Sequence, residues 1–88
     1  MEIRFKIEYL EVVEKQVASI PSNIKNTIKN AIEERLTTNP VELGKPLRYS
    51  FKGHRRMRVG NYRIIYRIED LTKTIIIIAI KHRKDIYE

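Results

Sequence analysis

The chain has 88 residues and no cysteine, is 42% hydrophobic and 33% charged, and sets eighteen Lys+Arg against eleven Asp+Glu for a net charge of +7. The missing thiol excludes a disulfide framework, thiolate-zinc sites, iron–sulfur ligation and a cysteine nucleophile. The longest apolar run, Ile75 to Ile80, is six residues, against the ~20 that a transmembrane helix needs, so no membrane contact is expected.

The first residues alternate charge with hydrophobe: Ile3, Phe5, Ile7 and Tyr9 interleave with Glu2, Arg4, Lys6 and Glu8. This period of two predicts a strand with one buried face. It also lacks the basic cap and apolar stretch of a signal peptide, so a cytoplasmic location is expected. From Leu10 the period changes, with Leu10, Val13, Val17 and Ile20 at helical spacing before Pro21. Ser22 is placed to cap a second helix in which Ile24, Ile28, Ile32 and Leu36 recur every four residues, until Asn39-Pro40 stops it. These two stripes are core-facing surfaces and carry no chemical constellation.

From Pro46 strands return. Leu47, Tyr49 and Phe51 alternate, Gly53 breaks the run, and Met57 and Val59 then alternate with Arg56 and Arg58. Gly60-Asn61 between alternating residues predicts a two-residue hairpin. The strand Tyr62 to Ile68 leads through Glu69 to Lys73 into Ile75–Ile80, whose apolar character on both faces predicts a central strand. The order is β-α-α-β-β-β. An α+β fold is expected: an N-terminal strand, a helical hairpin and an antiparallel three-stranded meander, with the helices on one face of the sheet. Residues 1–88 have room for one core, and a single domain is expected.

The positive charge is localised. Residues 1–42 hold six basic and seven acidic side chains, net −1, whereas residues 43–88 hold twelve basic and four acidic, net +8. Within the latter, residues 43–68 carry Lys45, Arg48, Lys52, Arg55, Arg56, Arg58, Arg63 and Arg67 without one acid. Such a run opposes folding by self-repulsion unless an anion binds it, and arginine suits forked contacts to phosphate. A polyanion-binding surface is expected.

The predicted hairpin distributes these residues. With Gly60 and Asn61 as the loop, Val59 faces Tyr62, Arg58 faces Arg63, Met57 faces Ile64, Arg56 faces Ile65, and His54 faces Arg67 if pairing continues so far. Alternation then gathers Arg56, Arg58, Arg63, Arg67 and His54 on one face, and Met57, Val59, Tyr62, Ile64 and Tyr66 on the other. Like charges directly opposed across strands are destabilising, so Arg58 against Arg63 points to a bridging anion, with phosphate the one expected. Aromatic groups that could stack on bases are Tyr49, Phe51 and Tyr87, the first two of which fit a core equally well. His54 and His82 lie in the cationic stretches Gly53-His54-Arg55-Arg56 and Lys81-His82-Arg83-Lys84; a lone histidine is more often a surface or hydrogen-bonded residue than a catalyst, and these flanks make an enzymatic role admissible.

The stretch Arg56-Met57-Arg58-Val59-Gly60-Asn61-Tyr62-Arg63-Ile64-Ile65-Tyr66-Arg67-Ile68 resembles the central signature of the RelE/ParE toxin superfamily. There a basic strand, a glycine-containing turn and a Tyr-Arg-hydrophobic-Tyr strand follow one another. The ending Ile77 to Tyr87 is similar to the last strand and tail of the RelE branch, and Asn39-Pro40 through Leu47 to the segment leaving the helices.

The resemblance implies a toxin that enters the ribosomal A site and cleaves mRNA there without metal or other cofactor. In that reaction the ribose 2′-hydroxyl attacks the adjacent phosphate, leaving a 2′,3′-cyclic phosphate and a 5′-hydroxyl. A base, cations for the phosphorane charge and an acid for the leaving oxygen are required. Carried onto this chain, Arg56 and Arg58 match the basic strand, Arg63 the phosphate-stabilising arginine and Tyr87 the tail tyrosine. Lys81 and Arg83 both cover the tail's basic position. Lys45, Arg48, Lys52, His54, Arg55, Arg67 and His82 are then expected to contact RNA. Relatives often have lysine where Arg56 and Arg58 stand, and arginine does not act as a base. Proton transfer is left to Tyr87, Lys81, a histidine or ribosomal RNA.

The resemblance also implies an acidic, RelB-like antitoxin as partner, with promoter DNA reached only through the antitoxin. The rival expectation is a ParE-like toxin that inhibits DNA gyrase by protein contact and cuts no RNA. Arg83 and Tyr87 favour the nuclease.

Overall fold

The computed structural model describes residues 4–38, 45–46 and 54–85. The elements are β1 (Lys6–Tyr9), α1 (Glu11–Ala18), α2 (Ser22–Ala31), a π-helical turn (Ile32–Leu36), β2 (Lys45–Pro46), β3 (His54–Val59), β4 (Tyr62–Glu69), β5 (Thr74–His82) and a closing 3₁₀ turn (Arg83–Asp85). The α+β order, the antiparallel meander β3-β4-β5 and the helices against one face agree with the sequence pattern. The alternation expected over Leu47–Phe51 lies outside the described residues, as do Arg48, Lys52 and Tyr87.

The sheet order is β1-β5-β4-β3-β2, with β1 parallel to β5 and the other pairs antiparallel. The first strand thus returns beside the last, and β5 is flanked by β1 and β4. Ile75, Ile77 and Ile80 are buried against the helices, while Ile76 and Ile78 between them are half-buried, and the first half of the strand has a neighbour on each edge. Phe5, Ile7 and Tyr9 of the N-terminal segment turn toward the helices. The core joins Val13, Ile28, Ala31, Ile32 and Leu36 to Met57, Val59, Ile64, Tyr66, Ile75, Ile77 and Ile80.

Two helical details differ from the pattern. Ser22 is the first helical residue, and the cap position belongs to Pro21 at φ −52°, ψ 142°, whose carbonyl accepts the Lys25 N–H at 2.9 Å. Proline's preset φ serves the entry where a serine side chain would otherwise cap. The second difference is the wider turn at Ile32–Leu36. A spacing of four residues overshoots a 3.6-residue turn by about 40° each time. The i→i+5 turn winds the chain back, and Ile32 and Leu36 both end fully buried.

The hairpin register is the one expected from Gly60-Asn61, from Val59 opposite Tyr62 to His54 opposite Arg67. Gly60 alone in that dipeptide takes positive φ, +58°, the pattern of a II′ turn. A Cβ there would meet no atom within 4 Å, so the penalty of Gly60→Ala is conformational. A loss of about 1 kcal/mol is expected, read as a lower urea midpoint at unchanged slope.

Candidate functional site

The face of the sheet away from the helices is assembled row by row. At the hairpin end, Arg58 of β3 opposes Arg63 of β4, and Arg63 opposes Lys81 of β5. Three cations therefore stand side by side across three strands, with opposed Cβ atoms about 5 Å apart. The next row is Arg56, Ile65 and Ala79, and the one beyond is His54, Arg67 and Ile76. Ile65, Ala79 and Ile76 form an apolar floor beside the cations, which the charge pattern did not reveal.

The cations on this face are unequal. Arg67 is held by Glu69 at 2.9 Å, and it stands at the end of the strand farther from the turn. Among the described residues no ion pair engages Arg56, Arg58, Arg63 or Lys81. Arg58 and Lys81 are exposed and Arg63 is half-buried. The unneutralised charge is thus concentrated at the hairpin end. The apolar floor and half-burial of Arg63 lower the local dielectric, which strengthens attraction to an anion lying on the row.

One irregularity in β5 decides the membership of that row. Ile65 pairs with Ala79 but the next residue, Tyr66, pairs with Ile77, so Ile78 is an extra residue, a β-bulge. Counted by strict alternation from Ile75, Lys81 would fall on the helix side and His82 on the open side. The bulge exchanges them: Lys81 joins the arginines, and His82 opposes Tyr62 on the helix side. There the two rings meet edge to face, centroids 5.0 Å apart and planes at 89°. His82 Nδ1 accepts the Lys84 N–H at 3.1 Å. Of the two basic residues that the tail pattern left equivalent, Lys81 is the one in the row. Arg83 opens the 3₁₀ turn, with its N–H donated to the Asn61 carbonyl at 2.7 Å, which ties the tail to the hairpin turn.

Arg55 is also turned from the cationic face. It opposes Tyr66, and its guanidinium acts on the Tyr66 hydroxyl. Burial pushes the Tyr66 hydroxyl above its ordinary value of 10, an effect that the Arg55 contact partly offsets. Tyr9, also on the helix side, is raised by burial and by the nearby Glu33 carboxylate. Lys45 lies in β2, paired with Arg56. His54 is half-buried at the far end of the open face. Among the described residues no cluster of three His, Asp or Glu side chains has the geometry to hold a metal ion, and no helix is long and apolar enough to cross a membrane.

The family model described as the ParE toxin of the type II toxin–antitoxin system parDE matches residues 7–87. Toxin RelG of Mycobacterium tuberculosis is 30% identical over 83 residues, covering 94% of this chain and 95% of the relative. Toxin RelE3 of Methanocaldococcus jannaschii is 36% identical over 86 residues, covering 94% and 96%. Among solved structures, the M. tuberculosis toxin–antitoxin complex RelBE2 superposes with a TM-score of 0.88 at 26% identity, covering 94% of this chain and 95% of that one. The RelB–RelE antitoxin–toxin complex of Methanococcus jannaschii gives 0.69 at 29% identity, covering 91% and 94%. By the family match and by relatives aligned along nearly their whole length, the chain belongs to the RelE/ParE family of toxins from toxin–antitoxin systems.

Proposed function

We propose that this protein is a RelE-type endoribonuclease toxin that cleaves mRNA in the ribosomal A site by attack of a ribose 2′-hydroxyl on the adjacent phosphate, and that an acidic RelB-like antitoxin neutralises it. The observation that carries this reading is the row Arg58–Arg63–Lys81, which no ion pair engages among the described residues. Three like charges in register destabilise a sheet, and a phosphate seated across them removes that penalty while its own charge is stabilised.

The chemistry follows from the row. As the 2′-oxygen bonds to phosphorus, the 2′-proton leaves, negative charge grows on the non-bridging oxygens, and the bond to the 5′-oxygen of the next nucleotide breaks. Arg58 and Arg63 are forked donors for that growing charge. Neither exchanges a proton at neutral pH. Lys81 is the member of the row able to give one, and it serves the leaving 5′-oxygen. Arg56, one row away, holds the neighbouring phosphate. Tyr87, through the family likeness, stacks on the substrate base, and the 2′-proton goes to Tyr87 or to ribosomal RNA.

Relatives solved with RelB support an antitoxin partner. The net charge of +7 makes an acidic one the complementary choice. The test is to induce the protein and map mRNA ends in translating ribosomes. New 5′-hydroxyl ends within A-site codons are expected. Intact messages accompanied by loss of DNA supercoiling would overturn the reading and favour gyrase inhibition, the activity expected of a ParE-like toxin.

A further inference from the structure

We infer that Gln16, on α1 and remote from the cationic face, is the positioning residue that puts Lys81 in line with Arg63. The role in catalysis rests on the nuclease reading above. β5 has a strand on each side only as far as Ile77, where β1 ends at Tyr9. The last backbone bond on that side runs from the Leu10 N–H to the Ile77 carbonyl at 3.3 Å. Beyond it, α1 lies along β5 in place of a strand. The Ile80 N–H therefore finds no strand partner there, and Gln16 Oε1 accepts it at 3.0 Å in a partly buried bond.

This bond exists in only one register. Successive residues of a strand direct their backbone polar groups alternately to the two neighbours. The Ile77 carbonyl points toward β1, so in an unbulged strand the Ile80 N–H would point the opposite way, toward β4. The extra residue Ile78 reverses the phase and turns that N–H to Gln16. The same reversal sends Lys81 to the open face and His82 to Tyr62. Gln16 thus stabilises the bulged register against the slipped one, in which Lys81 would leave the row.

The experiment uses the whole protein. Gln16→Leu keeps the bulk and removes the acceptor; Gln16→Glu keeps an acceptor at the same reach. Gln16→Leu is expected to raise Ile80 amide exchange and to slow ribosome-dependent cleavage about five- to tenfold, the scale of one lost hydrogen bond. In a Lys81→Ala background the further loss should shrink to less than about twofold, because both changes act through one side chain. Gln16→Glu should restore both exchange and cleavage.

Unchanged protection of Ile80 in Gln16→Leu would overturn the proposal, as would equal fractional losses in the two backgrounds. Should Gln16→Leu fail to fold, Gln16→Asn, whose acceptor is one methylene short, replaces it, and equal behaviour of Gln16→Asn and Gln16→Glu would overturn the proposal. A wild-type protein that cleaves no mRNA would overturn the nuclease reading and with it the catalytic role. The exchange result separates that outcome from a failure of Gln16 to hold the bulge.

Discussion

Arg63→Ala is expected to reduce single-turnover cleavage of ribosome-bound mRNA by about 10²–10³-fold, the loss typical of removing one preorganised donor to a developing oxyanion. Arg63 is the middle member of the row, opposed on one side by Arg58 and on the other by Lys81. No other side chain of the row has a cation on both flanks, so its removal opens a gap beneath the reacting phosphate. Arg63→Lys keeps a charge but loses the forked geometry, and an intermediate loss is expected. Stability should move the other way or not at all, because deleting the central charge relieves two repulsions worth a few tenths of a kcal/mol each. Melting and cleavage of the same preparation check both directions. Cleavage within twofold of wild type would remove Arg63 from the site.

Tyr66→Ala is expected to destabilise the fold by about 3–5 kcal/mol, the range for deleting a buried aromatic ring. Tyr66 sits in the middle strand of the meander, has no exposed surface, and packs into the core with Ile32, Leu36, Ile64 and Ile77. Its loss also leaves the Arg55 guanidinium without the hydroxyl it contacts. A small domain has only about 5–15 kcal/mol in all, so urea unfolding should shift sharply. Tyr66→Phe separates ring from hydroxyl and should cost much less.

The same residue predicts a response to alkali. Burial raises the Tyr66 hydroxyl above 10 in the fold, so the unfolded chain ionises first as pH rises. Stability is complete below pH 10 and declines above it, as the unfolded state holds fewer protons. Tyr66→Phe should flatten part of that decline, with Tyr9, also raised, accounting for a further part. An identical alkaline slope in Tyr66→Phe would show that other groups govern it.

Local pattern was sufficient for the hairpin. Two residues that tolerate positive φ, between runs of period two, specify the pairing of β3 with β4, and pairing specifies which arginines share a face. The opposition of Arg58 and Arg63 was therefore legible without coordinates. So were the helical stripes at Val13, Ile28, Ile32 and Leu36, because burial of one face leaves its period in the chain, whereas Leu10 and Ile24 at the starts of those stripes are exposed. The entry to α2 was less so: Pro21 and Ser22 are both favoured at helix starts, and local preference does not rank one above the other.

Lys81 and His82 mark where that kind of inference ends. Six consecutive apolar residues carry no alternation, so nothing in Ile75–Ile80 indicates an extra residue at Ile78, and the faces of everything after it are undetermined. The phase is set by contacts distant along the chain: β1 returning in parallel as far as Ile77, and Gln16 meeting the Ile80 N–H across 64 residues. By itself the sequence determined the basic character of the second half, the order of elements and the paired arginines, because these depend on neighbours and on a two-residue turn. Only the tertiary structure decided that Lys81 completes the row while His82 faces the helices, because strand phase beyond a bulge depends on which partner satisfies each backbone N–H.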